Sequence, residues 1–128
     1  MLYTKHFTLP EAQTMLSKIV PIVEEIVYLK KELDTKGYDV HRHQYFGGMG
    51  PNGQKVFPAD MERLVILLSG INEQGIEVKD LNKGLIDFPH IRANGEEVYL
   101  CYMLGEKMIL AWHPLEGGFA ARKSINEL

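Results

Sequence analysis

The hydrophobic period of the chain changes once, near residue 76, and that change limits the folds open to it. Before this point apolar residues recur every three or four positions: Ala12, Leu16, Ile19, Val23, Ile26 and Leu33, then Met61, Leu64, Val65, Leu68 and Ile71. That spacing gathers them on one face of a helix. Beyond it, Ile76 and Val78 alternate with Glu77 and Lys79, and Val98, Leu100 and Tyr102 alternate with Tyr99, Cys101 and Met103. Alternation marks strands, whose successive side chains point to opposite faces. Helices first and strands afterwards define an α+β chain: an N-terminal helical hairpin packed on a small C-terminal antiparallel β-meander.

Local signals set the boundaries. Thr8-Leu9-Pro10-Glu11 reads as a capping box with proline in the first turn. Pro21 deletes the bond back to the Ser17 carbonyl, which predicts a kink there, or two helices meeting. Lys30 and Lys31 read as solvated charge, beside Glu24, Glu25 and Glu32 on the wet face. Gly37 and Gly75 suit helix ends. The expected order is helix one over 8–37, a flexible loop over 38–57, helix two over 58–75, the meander over 76–116 and a loop-like tail over 117–128, all in one domain, 1–128. Within the meander of three or four strands, Pro89 ends a short strand that starts at Leu85. Asn94-Gly95 forms a type I′ hairpin turn.

Composition excludes several classes. With 128 residues and 45% hydrophobic content, the chain can bury a core without staples. A net charge of -3 gives no general pull toward nucleic acid or anionic membrane. Arg42, Lys55, Arg92 and Arg122, with Tyr45, Phe46 and Tyr99 nearby, do not offset that balance, so no nucleic-acid partner is expected. The one cysteine, Cys101, cannot form an intramolecular disulfide, which suits a reducing cytosol. It reads as a small buried hydrophobe rather than a nucleophile. No signal peptide and no apolar run of membrane-spanning length is visible, so a cytoplasmic location is expected.

Chemistry is concentrated in the meander. Asp87, Glu106 and His113 each fall at a strand end or turn, where neighbouring strands can bring them together. Two carboxylates and an imidazole suit a divalent metal, or a general acid/base set if burial shifts their pKa values. Glu116, His90 and Arg122 are possible additional members of a ligand site. The competing reading is structural, with Arg122 clamping Asp87 or Glu106 to pin the tail. His41 and His43 are too few for a metal site. Gly47 to Gly53 lacks the Gly-Lys-Ser/Thr ending of a phosphate loop. Val20, Ile22 and Val27 add apolar surface off the main face of the first helix, from which a homodimer is expected.

Several strings occur in order: Phe7-Thr8-Leu9-Pro10-Glu11-Ala12, Val20-Pro21, Val78-Lys79-Asp80-Leu81, Gly84-Leu85-Ile86-Asp87-Phe88-Pro89, Val98-Tyr99-Leu100-Cys101-Tyr102, Gly105-Glu106, Trp112-His113 and Gly117-Gly118-Phe119-Ala120-Ala121-Arg122. Together they resemble a prokaryotic family, domain of unknown function 2203, over most of the chain outside 38–57. Tyr102 stands where the family pattern leads one to expect tryptophan, one large aromatic for another. The resemblance implies no established activity; some members carry a cell-division label. Three functions are therefore open: a dimeric binding or assembly module without catalysis; a small metal-dependent or acid/base enzyme, such as a hydrolase, using Asp87, Glu106 and His113; and a regulatory adaptor whose 38–57 loop orders on a partner.

Overall fold

The computed structural model describes residues 1–42, 44–45 and 58–128. Helix α1 (Leu9–Thr35) starts as expected: the Thr8 side chain accepts from the Glu11 N–H, and the Glu11 carboxylate accepts from the Thr8 N–H. It runs unbroken through Pro21, so there are not two helices meeting there. Ala12, Leu16, Ile19, Val23, Ile26 and Leu33 are all buried.

Lys30 departs from expectation. It is buried, and its ammonium donates to both Asp34 carboxylate oxygens, at 2.8 and 2.6 Å, and to Asn82 Oδ1 at 3.1 Å. A long side chain can lie along apolar surface when its charged end finds such partners.

Past Gly37, which takes φ 72°, the chain forms a two-stranded ribbon, β1 (Tyr38–Asp39) with β2 (Gln44–Tyr45), where a flexible loop was expected. Tyr38 and Val40 reach the core, which holds the first part of this connection. His43, Phe46, the Gly47 to Gly53 stretch and Lys55 lie outside the described residues. His41 and Arg42 are exposed.

Helix α2 (Ala59–Glu73) buries Met61, Leu64, Leu67 and Ile71. Val65, assigned to the stripe by spacing, faces out, and Leu67 takes its place. The two helices pack on each other and are joined by Glu25–Arg63 and Lys36–Asp60 ion pairs, at 2.8 and 2.5 Å. Among the described residues no helix is long and apolar enough to cross a membrane.

The main sheet has five strands in sequence order, each antiparallel to its neighbours: β3 (Glu77–Asp80), β4 (Leu85–Ile91), β5 (Glu97–Met103), β6 (Ala111–Pro114) and β7 (Lys123–Ser124). The fifth comes from the tail, after a 3-10 turn over Phe119–Ala121. Pro89 does not end β4. It pairs with Tyr99, while the registered pairs of β3 stop at Asp87. Its carbonyl accepts from Phe7 N–H at 2.7 Å, away from β5. In an antiparallel strand the missing N–H points the same way, so no bond to β5 is lost.

The β4–β5 turn also differs from the type I′ expectation. Arg92 N–H donates to the Glu96 carbonyl and Gly95 N–H to the Arg92 carbonyl, which leaves three loop residues with Gly95 at φ 89°. This is the longer hairpin loop with a left-handed glycine in third place.

Ile86, Phe88, Val98, Leu100, Tyr102 and Trp112 share one face of the sheet and join the helices in one core. Two close contacts fix that docking. The Gln13 amide accepts from Ile109 N–H and donates to the Ile109 carbonyl, at 2.9 and 3.2 Å. Gly84, at φ 68°, lets α1 approach so closely that a Cβ there would sit 2.7 Å from Leu104 Cβ and 3.0 Å from Val23 Cγ1. Gly84→Ala is therefore expected to destabilise by about 3 kcal/mol, strain and overpacking together. Gly95→Ala, at φ 89° with nothing within 4 Å, serves as comparison. It carries backbone strain alone, about 1 kcal/mol. Urea unfolding of the two variants checks this; equal losses would remove the packing contribution.

Candidate functional site

Strand β5 buries both faces, and its second face holds the chemistry. Asp87 of β4 stands opposite Cys101 of β5, and Tyr99 opposite His113 of β6. Because side chains alternate, register alone places these four on the face turned away from the helices. Asp87 and His113 are almost fully buried, at 1% and 2% exposure.

The imidazole of His113 uses both nitrogens. Nε2 meets Asp87 Oδ2 at 3.0 Å, and Nδ1 meets the Pro114 carbonyl at 2.7 Å. Both partners accept, so the ring is held as the doubly protonated cation. Burial opposes that charge, but the hydrogen bond and charge of Asp87, with the Pro114 carbonyl, outweigh it and raise the His113 pKa. The other Asp87 oxygen, Oδ1, is buried without a hydrogen-bond partner among the described residues.

Around this pair sits a polar shell. The Tyr99 ring lies 5.2 Å from the His113 ring, and its hydroxyl donates to Glu77 Oε2 at 3.0 Å. Lys79 places its ammonium 4.6 Å above the Tyr99 ring, and the Tyr3 hydroxyl hydrogen-bonds the Tyr99 hydroxyl. Burial, then the Glu77 carboxylate, raise the Tyr99 pKa. A cavity of about 350 Å³ opens over the pair, lined by Lys79, Tyr99, Asp87, His113, Glu116 and Phe119 among others. Larger clefts run along α1, yet neither the one beside Lys5 and His6 nor the one beside Pro21 reaches a fully buried charged group.

Of the residues singled out from sequence, Asp87 and His113 meet. Glu106 does not join them. Its carboxylate accepts from Met103 N–H at 2.7 Å and from Arg122 Nη2 at 2.8 and 3.1 Å. The Gly105 turn folds it back on its own strand, so Arg122 pins the tail to Glu106 and not to Asp87. His90 falls on the opposite face by parity, and its Nδ1 bonds the Phe7 carbonyl at 2.7 Å. Glu116 lies exposed at the cavity mouth.

Sequence reasoning missed Cys101, Tyr99 and Lys79. Cys101 was weighed by its neighbours along the chain, whereas its partner is across the sheet; the expected type I′ turn at Asn94-Gly95 would have set Asp87 opposite Tyr102, and only the three-residue loop sets it opposite Cys101. One donor atom each from Asp87, Cys101 and His113 lies within 4.8 Å of the others, so this trio, not the one with Glu106, has the spacing to hold a metal. Burial first, then the Asp87 charge, push the Cys101 thiol up to about 12, so the metal-free thiol is not a nucleophile.

The chain belongs to the family described as uncharacterized conserved protein (DUF2203), whose model matches residues 5–125. That span contains every residue of the site except Tyr3. No curated protein and no solved structure matches the chain.

Asp87→Ala leaves a buried imidazolium without its counter-charge and is expected to cost about 3–5 kcal/mol. The pH dependence follows from His113. Its folded pKa is raised above the unfolded imidazole value of about 6.5, so its contribution is complete below that and is lost as pH rises through the raised value. In chelator-treated protein, the stability advantage of wild type over His113→Gln is expected to shrink as pH rises above about 6.5. Denaturant melts on both sides of that value test it; a constant difference would mean the folded imidazole is neutral.

Proposed function

We propose that the protein is a cytoplasmic binding module that holds a small polar ligand against the second face of its sheet, rather than turning one over by acid–base chemistry. The observation that carries this reading is the state of His113. Both of its ring nitrogens are committed, one to Asp87 and one to a backbone carbonyl. A general acid or base needs a nitrogen within reach of the substrate's proton. Glu106, the second carboxylate of the enzyme reading, is spent on Arg122.

The cavity, at about 350 Å³, falls in the size range of small-molecule sites. Lys79, and Asp80 with Glu116, put charges of both signs at its walls, which suits a small ligand carrying both. In a thermal-shift screen of small zwitterions, a bound ligand at 100 times its Kd is expected to stabilise by about 2.7 kcal/mol. Glu116→Gln, at an exposed position, should remove that shift and leave unliganded stability within about 0.5 kcal/mol. Turnover of any such compound at a rate abolished by His113→Gln, in a variant that remains folded, would overturn the reading.

We also infer that α1 and α2 form an antiparallel hairpin and that α1 bends at Pro21. The Glu25–Arg63 and Lys36–Asp60 pairs support the first, since they advance along α1 as they recede along α2. The lost Ser17 bond supports the second. A homodimer through this layer is supported by Ile66, 62% exposed and lining a groove with Met15 and Ile22. Sedimentation at micromolar concentration is expected to give twice 14.6 kDa, and Ile66→Glu to give 14.6 kDa. Wild type sedimenting at 14.6 kDa would exclude the dimer.

A further inference from the structure

We propose that Asp87, Cys101 and His113 form a three-ligand site for a divalent transition metal, zinc in the first instance, at the base of the cavity. This goes beyond the ligand-binding reading and does not depend on it.

Geometry comes first. The three donor atoms, one oxygen, one sulfur and one nitrogen, lie within 4.8 Å of one another. Bond lengths of about 2.0–2.3 Å in a tetrahedral site place ligands roughly 3.3–3.8 Å apart. Side-chain rotations that shorten the longest separation by roughly 1–1.5 Å close the difference. The register supplies the placement: Asp87 and Cys101 are directly opposed on adjacent strands, and His113 reaches in from the next.

A second observation points to a cation. Asp87 Oδ1 is buried, in a residue only 1% exposed, and no nitrogen or oxygen donor among the described residues reaches it; the Cys101 thiol beside it is a weak donor. A buried carboxylate oxygen left without a partner is costly, and a metal ion is a partner that can satisfy it.

The imidazole is also oriented as a ligand. Metal-bound histidines usually donate their second ring N–H to a carboxylate or backbone carbonyl, which fixes the ring. His113 Nδ1 does this with the Pro114 carbonyl at 2.7 Å and presents Nε2 to Asp87. Mixed nitrogen, sulfur and oxygen donors suit zinc, cobalt or iron, and not calcium or magnesium. Because Asp87 and His113 line the cavity, a fourth position faces it, open to water or to a ligand.

The charges balance in both states. Without metal the site holds an imidazolium, a carboxylate and a neutral thiol, for no net charge. A divalent ion displaces the proton on His113 Nε2 and the proton on the Cys101 thiol, leaving a carboxylate, a thiolate and the dication, again with no net charge. Two protons leave to solvent for each ion that enters, and no redox partner is needed.

The test uses the full chain, purified without a histidine tag, stripped with chelator and titrated with Co²⁺. One Co²⁺ per chain is expected, with a thiolate-to-cobalt charge-transfer band in the near ultraviolet that Zn²⁺ abolishes. The band reports this site alone because Cys101 is the one cysteine. Calorimetric titration in buffers of different ionisation enthalpy should return about two protons released per ion. Cys101→Ser, close in volume and checked for folding by circular dichroism, should lose the band, and Glu106→Gln should keep it. A folded wild type that takes up no stoichiometric Co²⁺, or shows no thiolate band, overturns the proposal. So does a band that survives Cys101→Ser. Either failure leaves the zwitterion screen to be judged through Glu116.

Discussion

Strand β5 is buried along both of its faces, and the rest of the molecule is arranged to cover them. Val98, Leu100 and Tyr102 face the helices, while Tyr99 and Cys101 face away. A half-buried strand tolerates water on one side; this one does not. The helices described here supply cover for a single face, so the second is covered by irregular chain: the tail around Phe119 and Arg122, and the segment before α1 that carries Tyr3. Register is therefore fixed from both sides. A slip of one residue would drive Asp87 into the helical core and turn Phe88 outward.

Cover made of irregular chain brings polar groups with it, and that explains the character of the second face. Glu77, Lys79, Tyr99 and Tyr3 satisfy one another in a chain of contacts, and Glu106 with Arg122 forms a second set. Partly satisfied networks in a low-dielectric setting are costly, so each group is under pressure to find a partner. Most do. Asp87 Oδ1 does not, and it sits beside the buried cation of His113 and the buried thiol of Cys101. Among the described residues Arg122 Nε is also left without a partner, but it belongs to a cation; Asp87 Oδ1 is the unpartnered acceptor, and it coincides with the potential ligands at one point of the sheet.

The parts of the fold legible in the sequence are those decided by local chemistry. The capping box at Thr8, the glycine ends at Gly37 and Gly75, and the shift in period at residue 76 are set by short-range sterics and patterning. Asp87 and His113 were legible as candidates because polar groups expected at strand ends can be brought together by neighbouring strands, although the structure sets both inside their strands. Other features depend on what lies across space. Lys30 is buried because Asn82, fifty-two positions away, helps receive its ammonium. Pro89 stays in its strand because β3 has ended beside it and Phe7 fills the gap. Cys101 joins the site because cross-strand register, not distance along the chain, sets it opposite Asp87, and Glu106 leaves it because the turn at Gly105 folds it back onto Met103 and Arg122.

The two covers of the sheet also differ in how they are held, and this sets the route into the site. The helical side is held by buried apolar surface, which separates only as the core is lost. On the second face, hydrogen bonds and ion pairs do the holding. Glu97 accepts from the Leu2 and Tyr3 N–H groups and pairs with His6 at 2.6 Å, bringing Tyr3 onto Tyr99. Such contacts exchange with water at a net cost of about 1 kcal/mol each, or up to about 3 when charged. Local opening draws on the least stable contacts first. Access to the Asp87–His113 pair thus lies on the side of the polar cover, where the cavity opens, while the helical core holds the strands in register.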